Sequence, residues 1–212
     1  MVDPKIIKDF LKLLNKQKLK YVLIKNDGKK LPNNLENGKD IDFLIYPNEY
    51  NRLIEIVDIN GYKRLIGEAC KRYFLYQLKE DIFIKKEDCY FHFYEKLSCN
   101  PLTNMGNCKI PLDTIIQEYI WKHRIWDKVN NWWIMDDVSI LLYLLIRSIF
   151  DKKEFREIYI REIEQRIEYI DSEMFYSLAK AVFFGFTARM IKLVKMKKYE
   201  RILNEYLSYR SY

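Results

Sequence analysis

The stretch GKDIDFLIY, residues 38–46, decides the fold that the sequence predicts. Two carboxylates, Asp40 and Asp42, interrupt a run of residues that favour β-strands, although strands disfavour aspartate. Side chains two apart on a strand point to the same face, so these carboxylates project together with their Cα atoms about 6.5–7 Å apart. Carboxylate oxygens that converge from this spacing can bracket a hard cation such as Mg²⁺. The alternative is the solvent face of an edge strand, but Leu44 continues the same face and is apolar.

The residues around this strand alternate between helical and strand patterns up to about residue 100. Asp3 followed by Pro4 is typical of a helix start, and Asn60-Gly61 is typical of a helix end. Runs rich in β-branched and aromatic residues predict the strands. In chain order we expect a helix over 4–15, a strand over 20–25, a polar loop over 26–38, the strand 39–46, a helix over 47–60, and strands over 62–66, 72–79, 81–86 and 89–96.

The pattern changes after a segment of linker-like composition at residues 101–111. Beyond it, strand signals vanish and apolar residues recur at helical spacing. We therefore expect an α/β domain over residues 1–100 and a helical domain over 112–212, which is an α+β fold class overall. The helices predicted in the second half are 112–124, 136–150, 153–170, 172–194 and 197–209.

The bulk composition excludes several classes of protein. Of 212 residues, 49% are hydrophobic and only 6 are Gly and 5 are Pro, so we expect a packed core rather than disorder. The net charge of +7 permits an anionic partner without requiring one. Four cysteines without a CxxC pair, and an N-terminus without a signal-peptide pattern, predict a cytoplasmic, reduced protein. The most apolar run, 138–150, contains Arg147 and is too short to span a bilayer, so no membrane is expected as a partner.

The order of these elements resembles the nucleotidyltransferase superfamily, which has the polymerase-β-like fold. The matching stretch is YVLIKNDGKKLPNNLENGKDIDFLI, residues 21–45, in which a first strand, a Gly-containing polar loop and a DxD strand follow one another. FHFYEKLS at 91–98 and RSIFDKKEFREIYI at 147–160 are also similar to the family. The resemblance implies an N-terminal nucleotidyltransferase-like mixed sheet with flanking helices, followed by an α-helical bundle.

The resemblance also implies a function and a set of site residues. Asp40 and Asp42 would bind the Mg²⁺ (or Mn²⁺) that carries a nucleoside triphosphate. An acceptor hydroxyl or phosphate would attack the α-phosphorus, and pyrophosphate would leave. The acceptor is left open between a sugar or glycan precursor, a small molecule, a protein side chain and an RNA end. The residues that the resemblance places near the phosphates are Lys25, Asn26, Gly28 and Lys39.

Two positions depart from the family pattern. The sequence has Asn26-Asp27-Gly28 where Gly-Ser or Gly-Gly is usual, and Tyr90 where a later strand would supply a third carboxylate. Asp88 lies one pleat earlier on the face of Tyr90 and would substitute if the strand shifted or bulged. His92 is on that face too, either as a proton-transfer group or as a core histidine. The alternative hypothesis is therefore a catalytically degenerate module that keeps the fold and only binds a nucleotide, a nucleic acid or a protein.

Two further groups of residues admit a binding interpretation and a structural one. Cys89 and His92 have a C-x₂-H spacing, but residues three apart on a strand face opposite sides, so we do not expect a zinc site. Four tryptophans beside basic residues could stack nucleic-acid bases, although we favour packing at a helix–helix junction. Nucleic acid is thus a possible partner that the sequence does not favour. The four are Trp121, Trp126, Trp132 and Trp133.

Overall fold

The computed structural model describes residues 1–26, 30–65, 71–74, 77–80, 82–102 and 108–208. It is a mixed α+β structure, as the sequence predicts. A π-helical turn, Arg147–Lys152, follows the fourth helix directly. The α-helices are α1 (Pro4–Lys16), α2 (Tyr50–Ile59), α3 (Thr114–His123), α4 (Asp137–Ile146), α5 (Glu157–Glu164), α6 (Glu173–Phe183), α7 (Thr187–Lys195) and α8 (Tyr199–Ser208).

The strands form a seven-stranded sheet and a four-stranded sheet. They are β1 (Tyr21–Leu23), β2 (Asp40–Ile45), β3 (Lys63–Leu65), β4 (Lys71–Phe74), β5 (Gln77–Glu80), β6 (Ile82–Lys86), β7 (Cys89–Tyr94), β8 (Ser98–Cys99), β9 (Cys108–Pro111), β10 (Ile125–Asp127) and β11 (Trp132–Ile134). The larger sheet has the order β10-β11-β1-β2-β7-β6-β3, and the smaller has the order β5-β4-β9-β8. The central strand β2 is antiparallel to β1 and parallel to β7.

Helix α1 begins and packs as its sequence predicts. The carboxylate of Asp3 accepts a hydrogen bond from the backbone N–H of Lys5 at 2.8 Å, which caps the first turn. The buried face of α1 lies on the larger sheet, where the ring of Phe10 lies 4.0 Å from that of Phe91 and 6.5 Å from that of Phe43. These aromatic contacts fix α1 against the middle of the sheet.

The two faces of the larger sheet belong to two different cores. Ile41, Phe43 and Ile45 pack with α1 and α2 in one core. Val22 and Leu44 lie on the opposite face and pack with the helices of the second half in the other core. The helical half covers this face, which explains the apolar Leu44 there. Asp40 and Asp42 share the face with Leu44 and therefore point into the junction between the sheet and the helices.

The prediction that strands end before residue 112 is wrong for one segment. β10 and β11 form a hairpin, and β11 pairs in parallel with β1, with Leu23 opposite Ile134. Three of the four tryptophans, Trp126, Trp132 and Trp133, belong to this hairpin rather than to a helix–helix junction, and Trp121 lies on α3. Trp126 and Trp133 pack edge to face, and the guanidinium of Arg124 lies 4.8 Å from the ring centre of Trp133. The second half of the chain thus contributes two strands to the sheet of the first half.

Three other boundaries differ from the sequence prediction. The expected strand 72–79 contributes to two strands, β4 and β5, and the expected linker 101–111 contains strand β9. The expected helix 172–194 breaks into α6 and α7 at Phe184, whose φ of 48° is incompatible with a continuous helix. The division into domains 1–100 and 112–212 stays a prediction. No helix in the described ranges is long and apolar enough to cross a membrane.

Candidate active site

The parallel pairing of β2 with β7 brings two acids and a histidine together. In this register Asp42 lies opposite His92, and Asp40 lies opposite Tyr90. The His92 Nδ1 atom is 3.7 Å from Asp40 Oδ2 and 3.6 Å from Asp42 Oδ1. Asp40, Asp42 and His92 each offer one ligand atom, and all of these atoms lie within 4.8 Å of one another. Strand alternation thus creates a compact cluster on the face that the helical half covers.

Asp42 is the most deeply placed acid of the cluster. Its exposed fraction is only 2%, so its charge requires nearby compensation. The Nζ of Lys25 lies 3.2 Å from Asp42 Oδ2, and the hydroxyl of Tyr94 donates a hydrogen bond of 2.8 Å to Asp42 Oδ1. Lys25 comes from the end of β1 and Tyr94 from the end of β7, so three neighbouring strands hold this carboxylate in place.

The ring of His92 is fixed by stacking. Its centre lies 3.6 Å from the ring centre of Phe83 and 3.9 Å from that of Tyr94. The histidine is buried, and its Nδ1 faces both carboxylates of the cluster. From the sequence, His92 is either a core histidine or a proton-transfer group. Its position is compatible with both, because the ring is packed like a core residue and its Nδ1 lies near the two carboxylates.

Asp40 is more exposed than Asp42, with 39% of its side chain accessible. Hydrogen bonding to His92, followed by the positive charge of Lys25, holds the pKa of Asp40 well below its usual range despite partial burial. Asp40 is therefore ionised at neutral pH. An ionised, accessible carboxylate beside a buried one is suited to receive a cation from solvent.

The structure does not bring Asp88 to this cluster. Glu87 adopts a left-handed conformation with φ 53°, and Glu87 and Asp88 form an exposed turn between β6 and β7. Strand β7 begins at Cys89, and Asp88 lies in the turn before it. Tyr90 occupies the position opposite Asp40. Within the described residues, His92 and not a third carboxylate joins the two aspartates.

Three of the four residues expected near the phosphates line one cavity with Asp40. Lys25, Asn26 and Lys39 are in its wall, and Gly28 lies outside the described residues. The cavity has a volume of about 340 Å³, and we call it the basic cavity. Its lining consists of Lys25, Asn26, Lys30, Leu31, Leu35, Glu36, Lys39, Asp40, Lys152, Arg156, Ile158 and Tyr159.

Three cations of the basic cavity, Lys30, Lys152 and Arg156, were not among the site residues predicted from the sequence. Lys152 ends the π-helical turn and Arg156 precedes α5, so both come from the helical half. Burial and then the positive charges of Arg147, Arg156 and Lys25 lower the pKa of Lys152. The lining has five cations and two acids, Glu36 and Asp40, and Glu36 pairs with Lys30 at 3.5 Å, so an excess of positive charge remains. The basic cavity is therefore electrostatically suited to an anion with several charges.

The donor set of the cluster fits a divalent cation. Carboxylate oxygens suit Mg²⁺ and Mn²⁺, whereas an imidazole nitrogen suits transition-metal ions more than Mg²⁺. Asp40 and Asp42 would be the ligands for either ion, and the imidazole of His92 would join them for a transition-metal ion. The basic cavity adjoins this cluster at Asp40.

Sequence and structure comparisons differ in what they find. No protein-family model matches the chain, and no curated protein matches it. Solved structures do match. The solution structure of the antibiotic-resistance factor ANT(2'')-Ia superposes with a TM-score of 0.50 at 11% identity, over 92% of this chain and 96% of that chain. The chain has a nucleotidyltransferase fold.

Two further solved structures with this nucleotidyltransferase fold are similar to the chain. A crystal structure of ANT(2'')-Ia in complex with adenylyl-2''-tobramycin has a TM-score of 0.49 at 11% identity, over 82% of this chain and 93% of that chain. The lincomycin-bound lincosamide antibiotic adenylyltransferase LnuA has a TM-score of 0.46 at 15% identity, over 78% of this chain and 96% of that chain. The superposition with the solution structure of ANT(2'')-Ia confirms the fold predicted from GKDIDFLIY.

Proposed function

We propose that the protein is a metal-dependent nucleotidyltransferase that moves a nucleoside monophosphate from a nucleoside triphosphate to a small-molecule acceptor. One observation carries the proposal: the Asp40–Asp42–His92 cluster adjoins a cavity lined by five cationic side chains. A cluster of acids alone binds metals for many purposes, and a basic cavity alone binds many anions. In this protein the cluster and the basic cavity share Asp40. This arrangement suits a triphosphate whose negative charge is neutralised partly by a metal ion and partly by basic side chains.

The side chains divide the work of such a reaction. A divalent cation at Asp40 and Asp42 would neutralise phosphate charge and align the reacting oxygens. Negative charge develops on the oxygens of the departing pyrophosphate. With the phosphates in the basic cavity, this charge is stabilised by Lys25, Lys39 and Lys152. Phosphoryl transfer requires in-line placement more than covalent chemistry, and the packed junction between sheet and helices supplies a rigid frame for it.

The acceptor is proposed to be a small molecule with a hydroxyl group. ANT(2'')-Ia, which shares the fold, is an antibiotic-resistance factor. With no third carboxylate in the described cluster, His92 is the candidate group for holding a proton near the reacting oxygens. The cytoplasmic location predicted from the sequence suits an enzyme that uses nucleoside triphosphates and stays a prediction.

Thermal unfolding tests the proposal directly. The protein is melted with ATP, CTP, GTP or UTP, each with and without Mg²⁺ or Mn²⁺. A ligand that binds only the folded state raises Tm, and we expect at least one nucleotide to do so only when the metal is present. If no combination of nucleotide and metal raises Tm above the sum of the separate effects, the proposal is wrong.

The second candidate function is a module that binds a nucleotide without transferring it. The observation that favours it is Tyr90 opposite Asp40, where a third carboxylate would complete the acidic set. Pyrophosphate release separates the two. With the stabilising nucleotide, metal and a panel of small hydroxyl compounds, a transferase releases pyrophosphate in step with acceptor consumption, whereas a binding module releases none.

A further inference from the structure

A second cavity lies beside the basic cavity at the carboxyl ends of β1 and β11. It has a volume of about 400 Å³ and is enclosed by β1, the β10–β11 hairpin and helices α4 and α5, and we call it the apolar cavity. A volume of this size is in the usual range for small-molecule sites. Its lining consists of Leu23, Ile24, Lys25, Asn26, Leu31, Asp127, Val129, Asn130, Trp132, Ile134, Met135, Ile140, Tyr143, Leu144, Glu162 and Arg166.

The two cavities meet at shared residues. Lys25, Asn26 and Leu31 line both of them. The side-chain oxygen of Asn26 accepts a hydrogen bond of 3.0 Å from the backbone N–H of Leu31, which fixes the wall between the cavities. Because the Nζ of Lys25 lies 3.2 Å from Asp42 Oδ2, this shared wall is also adjacent to the acidic cluster. The basic cavity and the apolar cavity are therefore direct neighbours at Lys25, Asn26 and Leu31.

The carboxylates of the apolar cavity are already engaged within the protein. Asp127 accepts hydrogen bonds from the backbone N–H groups of Val129 and Asn130 at 2.9 and 3.3 Å, and from the side-chain amide of Asn130 at 2.7 Å. Glu162 accepts a hydrogen bond of 2.8 Å from Arg166. Both carboxylates therefore have hydrogen-bond partners within the protein. What remains is an apolar chamber with amide groups near its wall, which suits an uncharged heterocycle.

We propose that the apolar cavity binds the base and ribose of the nucleoside triphosphate whose phosphates occupy the basic cavity. The inference rests on the proposed function. It assigns a site to the base and ribose, which the metal cluster does not contact. A nucleotide is highly charged at one end and largely apolar at the other. The two cavities that meet at Lys25 and Asn26 have the same division of chemistry.

A filling substitution in the apolar cavity tests the proposal. Ile140 is half-buried on α4 and lines this cavity, whereas Ile160 is half-buried on α5 and lies outside both cavities. Ile140→Phe and the matched control Ile160→Phe are compared with the natural protein. Calorimetric titration measures Kd for Mg²⁺ with the nucleoside triphosphate that stabilises the natural protein, and for Mg²⁺ with inorganic tripolyphosphate, which has no base or ribose.

We expect Ile140→Phe to weaken binding of the nucleoside triphosphate by about tenfold or more, the order of loss when an apolar pocket is blocked. The Kd of Ile140→Phe for tripolyphosphate should stay within about twofold of that of the natural protein. Ile160→Phe should change neither the nucleotide Kd nor the tripolyphosphate Kd. An unchanged nucleotide Kd in Ile140→Phe, or an equal loss for both ligands, overturns the inference. If Ile140→Phe does not fold, Ile140→Ala is titrated instead, and the same selective loss for the nucleotide is required.

Failure of the proposed function has a different signature. In that case the natural protein binds neither the nucleoside triphosphates nor tripolyphosphate with Mg²⁺ or Mn²⁺. If the natural protein binds both ligands and Ile140→Phe affects neither, only the placement of the base is wrong.

Discussion

The Nζ of Lys25 lies 3.2 Å from Oδ2 of Asp42, so an ammonium group holds the position beside the buried carboxylate that a divalent cation would take. Lys25 also lines the basic cavity. In the proposed function, this ion pair would compete with a metal ion for Asp42, and Lys25 released from Asp42 would be available to the phosphates.

Substitution Lys25→Met separates these two effects. Without nucleotide, we expect tighter Mn²⁺ binding, because the competing cation is gone. For the nucleotide itself, we expect the Kd measured with metal present to rise by about tenfold, since a charged contact to phosphate is lost. Lys39→Met is the control, because Lys39 lines the same cavity and should weaken nucleotide binding without improving metal binding. Unchanged metal affinity in Lys25→Met would contradict the competition.

His92 is the residue whose roles in packing and in metal binding need separation. His92→Phe keeps a ring between Phe83 and Tyr94 and removes both nitrogens. We expect Tm without ligands to stay within a few degrees and Mn²⁺ affinity to fall by about tenfold. Mg²⁺ affinity should fall less, because Mg²⁺ prefers oxygen ligands. Equal metal affinities in the variant and the natural protein would leave His92 with a packing role alone.

Burial of two cysteines predicts their reactivity. Burial raises the pKa of Cys89 and of Cys99 to about 12 each. At pH 8 only about one thiol in ten thousand is then a thiolate, the reactive form. Peptide mass spectrometry after iodoacetamide treatment should find Cys108, which is partly exposed, labelled well before the other two. In guanidinium chloride, the labelling rates of Cys89, Cys99 and Cys108 should become similar. Early labelling of Cys89 in the folded protein would contradict the described core.

The last helix offers a test of pH dependence. Hydrogen bonds from Arg189 and then Arg201 lower the pKa of Glu205 from 4.5 to about 2. Because the folded value is depressed, the stabilisation is present above the unfolded pKa and is lost as pH falls from about 4.5 towards 2. Glu205→Gln should lower Tm slightly at pH 7, and the difference from the natural protein should shrink across that window. A constant difference down to pH 2 would contradict this ion-pair network.

Local signals predict the acidic cluster well. Strand alternation alone places Asp40 and Asp42 on one face, and the apolar Leu44 already indicates that this face is covered. The register of β7 against β2 cannot be obtained in this way, because a parallel pair is joined through distant segments. The position of Asp88 relative to the cluster could not be predicted from the residue types, because it depends on the left-handed conformation of Glu87 in the turn before β7.

Non-local contacts explain the other misses. β10 and β11 are three residues each, so their sequence has too few alternations to show a period. They become strands because β11 pairs with β1 and β10 pairs with β11. Lys152 and Arg156 lie in a charged stretch that looks like a solvated surface. Only the packing of the helical half against the sheet places them beside Asp40.

The central claim is that Asp42 and its neighbours bind a nucleoside triphosphate through a divalent metal ion. The most direct measurement is the calorimetric Kd of Mg²⁺ and the stabilising nucleotide for the natural protein, Asp42→Asn and Asp88→Asn. Asp88 precedes the β7 strand that carries His92, but it is exposed in a turn and lies outside the cluster. We expect Asp42→Asn to lose metal-dependent nucleotide binding and Asp88→Asn to keep the Kd of the natural protein. Equal binding by Asp42→Asn and the natural protein would contradict it.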